Sequence, residues 1–485
     1  MQDAAHDSLL RNARRQLHAE IAEALETHSP ELMDSQPELF AQHCAEAGLD
    51  EPAIEWWRKA GDQALRRSAF KEAAAHLGKA IELADKLATT APSAAPASNR
   101  LHLQTSLGNA LISAKGYYAP ETSAAFARAR ELASRVEDAA ERFSVYYGLW
   151  VGHLTRCEPA PLREMAELFR REATDRPDCP ETLIAHRISG VTCWYFGDFA
   201  GAHEHLQKTI ELYDQARHSD SAHRFGQDSR ATAEAHDAVA LWVLGRVDEA
   251  LRLADRALTD AESAAHPPTM GFALLVAALL EFVRYNPEAV ATCSQALADI
   301  ASRYDLPAYI AGLVVFFQGW ADWSGSAAVS SLAEMRRGLA IHREQGFVFY
   351  LHNFATALAK AEATAGETDA GLQRLDDALA ELERTEEPWY EAEIHRIRAE
   401  ILLKRDLADT AAAEQSLQAA IAIAQSQKAR SFELRAALSL AKLYRAADRD
   451  ADAHAVLAPA AEHFPPTQQF PELTGAQALL SALNP

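Results

Sequence analysis

Three groups of residues in this chain have types that could do chemistry. They are the triplet His203-Glu204-His205, the set Cys179, His186 and Cys193, and a large supply of carboxylates. On a helix, residues two apart diverge by about 200°, whereas a zinc-binding helix places its histidines four apart on one face. The triplet is therefore expected to be a solvated or half-buried pair of histidines and not a metal site. Nothing in the spacing of Cys179, His186 and Cys193 selects a shared site over ordinary packing. The five cysteines, Cys44, Cys157, Cys179, Cys193 and Cys293, contain no CxxC pair and are odd in number, which fits a reducing compartment. Cys193 and Cys293 stand where a small buried residue is wanted. The chain carries no GxxxxGK[ST] loop, no GxGxxG turn after a strand and no GxSxG elbow. The expectation is no catalytic residue, no metal and no cofactor.

Binding is the chemistry that remains. The tryptophans Trp56, Trp57, Trp150, Trp194, Trp242, Trp320, Trp323 and Trp389 read first as packing between repeats, and second as the wall of an aromatic groove. Two stretches break the rhythm of the chain, Gly116-Tyr117-Tyr118-Ala119-Pro120 and His223-Arg224-Phe225-Gly226-Gln227-Asp228. Loops longer than a repeat demands are common sites of binding, although a plain spacer is an equal reading. The candidate partner-binding residues are Tyr117, Tyr118, Trp150, Trp194, Arg224, Gln227 and Asp228. They are expected to line a concave face in the first half of an array that holds a protein segment or a small ligand.

The elements that must position these residues are set by a spacing. A small residue is followed four places on by a mid-sized apolar residue and seven places on by another small one. The set recurs as Ala202/Leu206/Thr209, Ala250/Ala254/Ala257, Ala289/Cys293/Ala296, Ser331/Met335/Gly338, Gly371/Leu375/Ala378, Ala413/Leu417/Ala420 and Ala453/Leu457/Ala460. The interval of about 40 residues belongs to helical-repeat arrays. A further small residue stands twelve positions earlier, as Gly190 before Ala202, Gly319 before Ser331 and Ala359 before Gly371, where it lets paired helices cross closely. Turns at Phe196-Gly197-Asp198, Leu244-Gly245-Arg246, Tyr285-Asn286-Pro287 and Ala365-Gly366-Glu367 fall between the paired helices. The pattern resembles a long variant of the tetratricopeptide repeat. It predicts an all-α, right-handed tetratricopeptide-like solenoid of about ten helix pairs.

Composition agrees. With 485 residues, 48% apolar and 24% charged, the chain is long enough for an extended folded array and too apolar for disorder. A net charge of −22 argues against a nucleic-acid surface, which needs excess Lys and Arg. The most apolar windows, Gly271 to Val283 and Ala308 to Phe317, are too short to span a bilayer. The start is acidic and lacks a signal-peptide pattern, so a cytoplasmic protein without membrane partners is expected.

Near the N-terminus an amphipathic helix is expected over Ser8 to Leu25, then helices over Pro37–Ala47, Glu51–Arg67 and Phe70–Leu87. Gly48 ends the first of these, and Asp50 caps the second. The Pro- and Ala-rich stretch from Ala88 to Pro96 reads as a linker. The segments Gln2-Asp3-Ala4-Ala5, Ile21-Ala22-Glu23-Ala24-Leu25, Gln36-Pro37-Glu38-Leu39 and Trp57-Arg58-Lys59-Ala60-Gly61 resemble one junction in large bacterial signalling proteins. These join a class III adenylate/guanylate cyclase domain to a signal-transduction ATPase module and a tetratricopeptide-like tail. His6 stands where that family usually has Tyr.

The resemblance implies a chain that starts inside the winged-helix part of the ATPase module, without the cyclase or the phosphate loop. Its implied organisation is a junction remnant over 1–28, N-terminal repeats over 29–90, a linker over 91–100, the array over 101–463 and a capping segment over 464–485. The implied function is a noncatalytic interaction or sensor module of a signalling ATPase/cyclase system, with the cyclase/ATPase protein as a separately encoded partner. The alternatives are the sensor arm of a transcriptional regulator and an enzyme with an unrecognised site in the groove.

Overall fold

The computed structural model describes residues 11–483 except 92, 94–95, 117–118, 137–138, 177–178, 219–220, 307–308, 347 and 466–469. Among the described residues every regular element is helical. The contacts divide the chain into two compact units. The first holds the described residues of Met1–Gly152, His223–Gly226 and Tyr304–Pro307, and the second holds His153–Ala222, Gln227–Arg303 and Ala308–Pro485.

The first unit contains α1 (Arg11–His28), α2 (Pro30–Ser35), α3 (Pro37–Ala47), α4 (Asp50–Arg66), α5 (Phe70–Thr90), α6 (Ala97–Lys115), α7 (Pro120–Ala133) and most of α8 (Ala139–Thr155). Of the helix expected from Ser8, residues 8–10 lie outside the described residues. The rest docks on α3 through His18, Ala22 and Leu25 and leaves Leu17 exposed. Gly48 does end α3, in the left-handed conformation (φ 79°) that glycine adopts without penalty. Asp50 is not a side-chain cap. It opens α4 from inside the first turn and pairs with Lys86 at 3.0 Å, where a negative charge suits the helix dipole. Residues 92, 94 and 95 of the expected linker lie outside the described residues; on either side of it α5 packs on α6, and one core runs from Ala22 through Ala84 to Ala110. Phe126 of α7 seats against Gly108 and Gly148; a Cβ at Gly148 would stand 2.0 Å from its ring.

The second unit opens with α9 (Pro159–Thr174), α10 (Thr182–Tyr195), α11 (Phe199–Leu212) and the short α12 (Gln215–His218); α13 (Ser221–Phe225) bridges the boundary. Then come α14 (Ser229–Val243), α15 (Val247–Ser263), α16 (Pro267–Val283), α17 (Pro287–Arg303), α18 (Tyr309–Ser326) and α19 (Val329–Glu344). The chain ends in α20 (Leu351–Thr364), α21 (Thr368–Thr385), a 3-10 turn at Pro388–Tyr390, α22 (Glu391–Arg405), α23 (Thr410–Ser426), α24 (Arg430–Ala446), α25 (Asp450–Ala461) and α26 (Pro471–Leu483).

The seven spaced triplets fall in α11, α15, α17, α19, α21, α23 and α25, each packed on the helix before it, as α10 on α11 and α14 on α15. The architecture is an all-α, tetratricopeptide-like repeat. More helices are present than the paired pattern called for, because α1 to α3, α12, α13 and α26 lie outside it. The small-residue rule is borne out at atomic distance: a Cβ on Gly371 would lie 2.7 Å from Ala359 O, and one on Gly338 would lie 2.5 Å from Phe316 N. Glycine there permits helix approaches that no larger residue fits.

The first helices of the pairs form an inner layer, α10 on α14, α14 on α16, α18 on α20, α20 on α22 and α22 on α24. In this unit the layer returns on itself. Tyr195 OH at the end of α10 donates to Thr385 O, and Ser431 Oγ of α24 donates to Trp242 O of α14. Arg435 Nη1 of α24 donates to Val283 O of α16 at 2.7 Å.

Candidate functional site

The candidate residues divide between the two units. Tyr117 and Tyr118 lie outside the described residues. Trp150 and Arg224 belong to the first unit. Trp150 is buried beside Tyr147 (5.9 Å between ring centroids), which meets Phe225 at 5.3 Å. Arg224 Nε donates to Ser144 Oγ at 2.9 Å, and its guanidinium also reaches Ala140 O. That loop is thus fastened to α6 and α8, with Asn109 Nδ2 donating to Arg224 O at 2.8 Å.

Trp194, Gln227 and Asp228 belong to the second unit. Trp194 is 1% exposed, with Trp389 at 4.4 Å, Phe349 at 5.7 Å and Tyr350 at 6.2 Å. It is no wall of an open groove: residues from the later repeats fill the space it faces, because the inner layer folds back. Asp228 is the N-cap of α14, its Oδ1 accepting from Arg230 N and Ala231 N and its Oδ2 from Tyr213 OH at 2.7 Å. Its carboxylate is committed to the fold. Gln227 O accepts from the buried Arg187 at 3.3 Å. Arg224 is thus committed within the first unit and Gln227 and Asp228 within the second, and the seven residues do not form one described site.

The histidine triplet diverges as its spacing requires. His203 Nδ1 meets Asp237 at 2.8 Å, while His205 Nδ1 meets His186 Nδ1 at 2.9 Å. Cys179 turns to Glu181. Among the described residues no three His, Cys, Asp or Glu side chains gather as for a metal, and no helix is long and apolar enough to cross a membrane.

One buried polar cluster was not legible in the sequence. Glu387 accepts from Trp389 Nε1 at 3.1 Å and Cys157 Sγ at 3.3 Å, with His352 Nε2 at 3.8 Å. Burial pushes the Glu387 carboxyl up to about 8 and the His352 imidazole down to about 4. At pH 7 both are neutral, so their proximity is not an ion pair. Burial also pushes the Cys157 thiol up, which makes it unreactive.

An open cavity lies elsewhere on the inner layer, at the ends of α16 and α18 against α20 and α22. Its floor is Phe282, Trp320, Thr356, Tyr390 and Ile397; its rim is Tyr285, Trp323, Ser324, Ala357 and Lys360. The volume is about 70 Å³. The Phe282 and Trp320 rings stand 4.8 Å apart in an edge arrangement, and Lys360 Nζ lies 5.3 Å from the centre of the Tyr285 ring. Tyr285 occupies the turn position taken by Gly197, Gly245 and Gly366 in sister repeats, and it holds the same left-handed backbone (φ 58°). A bulky residue there costs about 1 kcal/mol. Its hydroxyl accepts from Arg396 Nη2 at 2.9 Å, and Arg396 Nε donates to Glu393 at 2.7 Å. Trp320 and Trp323 were among the tryptophans singled out by type. What the sequence did not signal was that two turns and four helices bring five aromatic residues around one opening.

Fold and cavity together define a helical-repeat protein of tetratricopeptide type with an aromatic-lined inner face. No family model matches the chain. It is 28% identical over 453 residues to an uncharacterised protein of Rhizobium meliloti (strain 1021), a match that spans 91% of this chain and 43% of that protein. The chain thus corresponds to less than half of that relative's length. Among solved structures it is similar to a Rap protein complexed with competence and sporulation factor, at 13% identity and TM-score 0.48 over 79% of this chain and 97% of that one. It is similar to yeast Tom70 at 11% identity and TM-score 0.35, over 89% and 95% of the two chains. The APC/C heterotetramer Cut9–Hcn1 gives 12% identity and TM-score 0.47, over 96% and 87%.

Proposed function

We propose that this chain is a noncatalytic interaction module of a bacterial signalling ATPase/cyclase system and that it holds a protein segment on its inner helical face. The observation that carries the reading is the cavity at Phe282, Tyr285, Trp320 and Trp323. At about 70 Å³ it is roughly half the size of an engineered cavity that admits benzene. That suits one side chain of a protein partner and is too small for a nucleotide or a drug-sized ligand. The signalling context is supported by the N-terminal segments that resemble the ATPase junction.

The test is reconstitution. The reading frame and the genes next to the coding sequence are searched for ATPase and cyclase modules, which are purified and assayed with and without this chain. A change in ATP turnover or cyclic-nucleotide output that saturates with added chain supports the reading. Modules that neither bind the chain nor respond to it, or no such modules, overturn it.

A further inference from the structure

The walls of the cavity restrict what can enter. Ser324 Oγ donates to Trp320 O at 2.8 Å, and Thr356 Oγ1 donates to His352 O at 2.6 Å. The Tyr285 hydroxyl is held by Arg396, and Lys360 Nζ pairs with Glu400 at 3.1 Å. With the hydroxyls of Ser324, Thr356 and Tyr285 engaged inside the chain, the floor offers an occupant mainly ring faces and methyl groups. A buried polar tip would forfeit its hydrogen bonds with water and find few in return. The volume of about 70 Å³ favours a branched aliphatic end over an aromatic ring.

The rim adds a sign. Lys360 is the one charged residue among the described residues lining the cavity, and its side chain and that of Glu400 are each 37% exposed. Half-exposed pairs of this kind hold weakly and exchange readily. Glu400 is also bound by Arg396, so it keeps a cation if Lys360 turns to a new carboxylate. An incoming ammonium would instead meet Lys360 beside rings whose cation position it already occupies, over Tyr285.

We infer that the cavity seats a protein segment presenting one branched aliphatic side chain next to a carboxylate, with the alkyl group between Phe282, Trp320 and Tyr390 and the carboxylate on Lys360. The inference rests on the interaction-module reading and specifies its ligand.

The probes are 4-methylpentanoate, its primary amide and isopentylamine, with dissociation constants measured on the full chain by saturation-transfer NMR. The acid is expected to bind about threefold more tightly than the amide, as suits one half-exposed ion pair, and the amine most weakly. Lys360→Met should bring acid and amide together. Ala357→Leu should fill the cavity and weaken all three about tenfold while helix content by circular dichroism stays unchanged. If Ala357→Leu unfolds the chain, the Lys360→Met comparison decides alone. No binding by any probe, equal binding of all three, or an acid preference that survives Lys360→Met overturns the inference. Any of these leaves the reconstitution test of the module untouched, since that test does not involve the probes.

Discussion

At the scale of single residues, burial has set ionisation against sequence expectation. Glu387 is fully enclosed, and its carboxyl is raised from 4.5 to about 8. Between those values the unfolded chain has lost the proton that the native state still binds. Stability contributed by this group is therefore complete below pH 4.5 and falls as pH rises to about 8. Glu387→Gln should be the more stable protein at pH 8, with the gap closing toward pH 4.5 in thermal melts. Equal melting temperatures across that range would refute the assignment. Trp194 makes a second case. Its contacts with Trp389 and Phe349 are core contacts, so Trp194→Ala should cost about 3–5 kcal/mol in denaturant unfolding. A stability unchanged within error would return Trp194 to the list of surface candidates.

At the scale of elements, the small residues carry the pairing. Gly338→Val would drive a side chain into the Phe316 backbone and should cost about 2 kcal/mol or more, while Ser330→Val, exposed at the start of the same helix, should be near neutral. Equal effects of the two would mean that close helix approach is not what the glycine provides. The cap of α14 is measurable in the same way. Asp228→Ala removes bonds to Arg230 N and Ala231 N and one from Tyr213, and about 2 kcal/mol is expected in urea melts. Asp228→Asn, which can still accept at the cap, should recover part of that loss.

At the scale of the whole molecule, acid sensitivity follows from three enclosed imidazoles. Burial lowers His236, His342 and His352 from 6.5 to about 4. The unfolded chain takes up these protons as pH falls from 6.5 to 4 while the native state does not, so stability is lost across that window. Chemical denaturation between pH 7 and pH 4 should show a falling midpoint, and replacing His236 by Gln should flatten the fall. A midpoint that holds steady to pH 4 would contradict it. The purified chain should also neither hydrolyse ATP nor cyclise ATP or GTP. Turnover that persists through further purification would overturn the noncatalytic reading.

The repeat was legible because close helix crossing permits only small side chains, and that constraint is local: Gly190, Gly319 and Ala359 each predict a partner twelve residues on. The divergence of His203 and His205 was legible for the same kind of reason, since helical geometry fixes it within one turn. The candidate site was not. Trp194 and Trp320 both lie in the first helix of a pair, in like sequence surroundings, yet one faces the returning chain at Phe349 and Trp389 and the other helps form an open cavity. Which of them borders a cavity depends on contacts between residues nearly two hundred positions apart, such as Tyr195 with Thr385 and Trp242 with Ser431. Small rotations between successive pairs accumulate to bring those residues together. The local sequence settles each crossing, and only their sum in the tertiary structure decides which part of the inner face stays open.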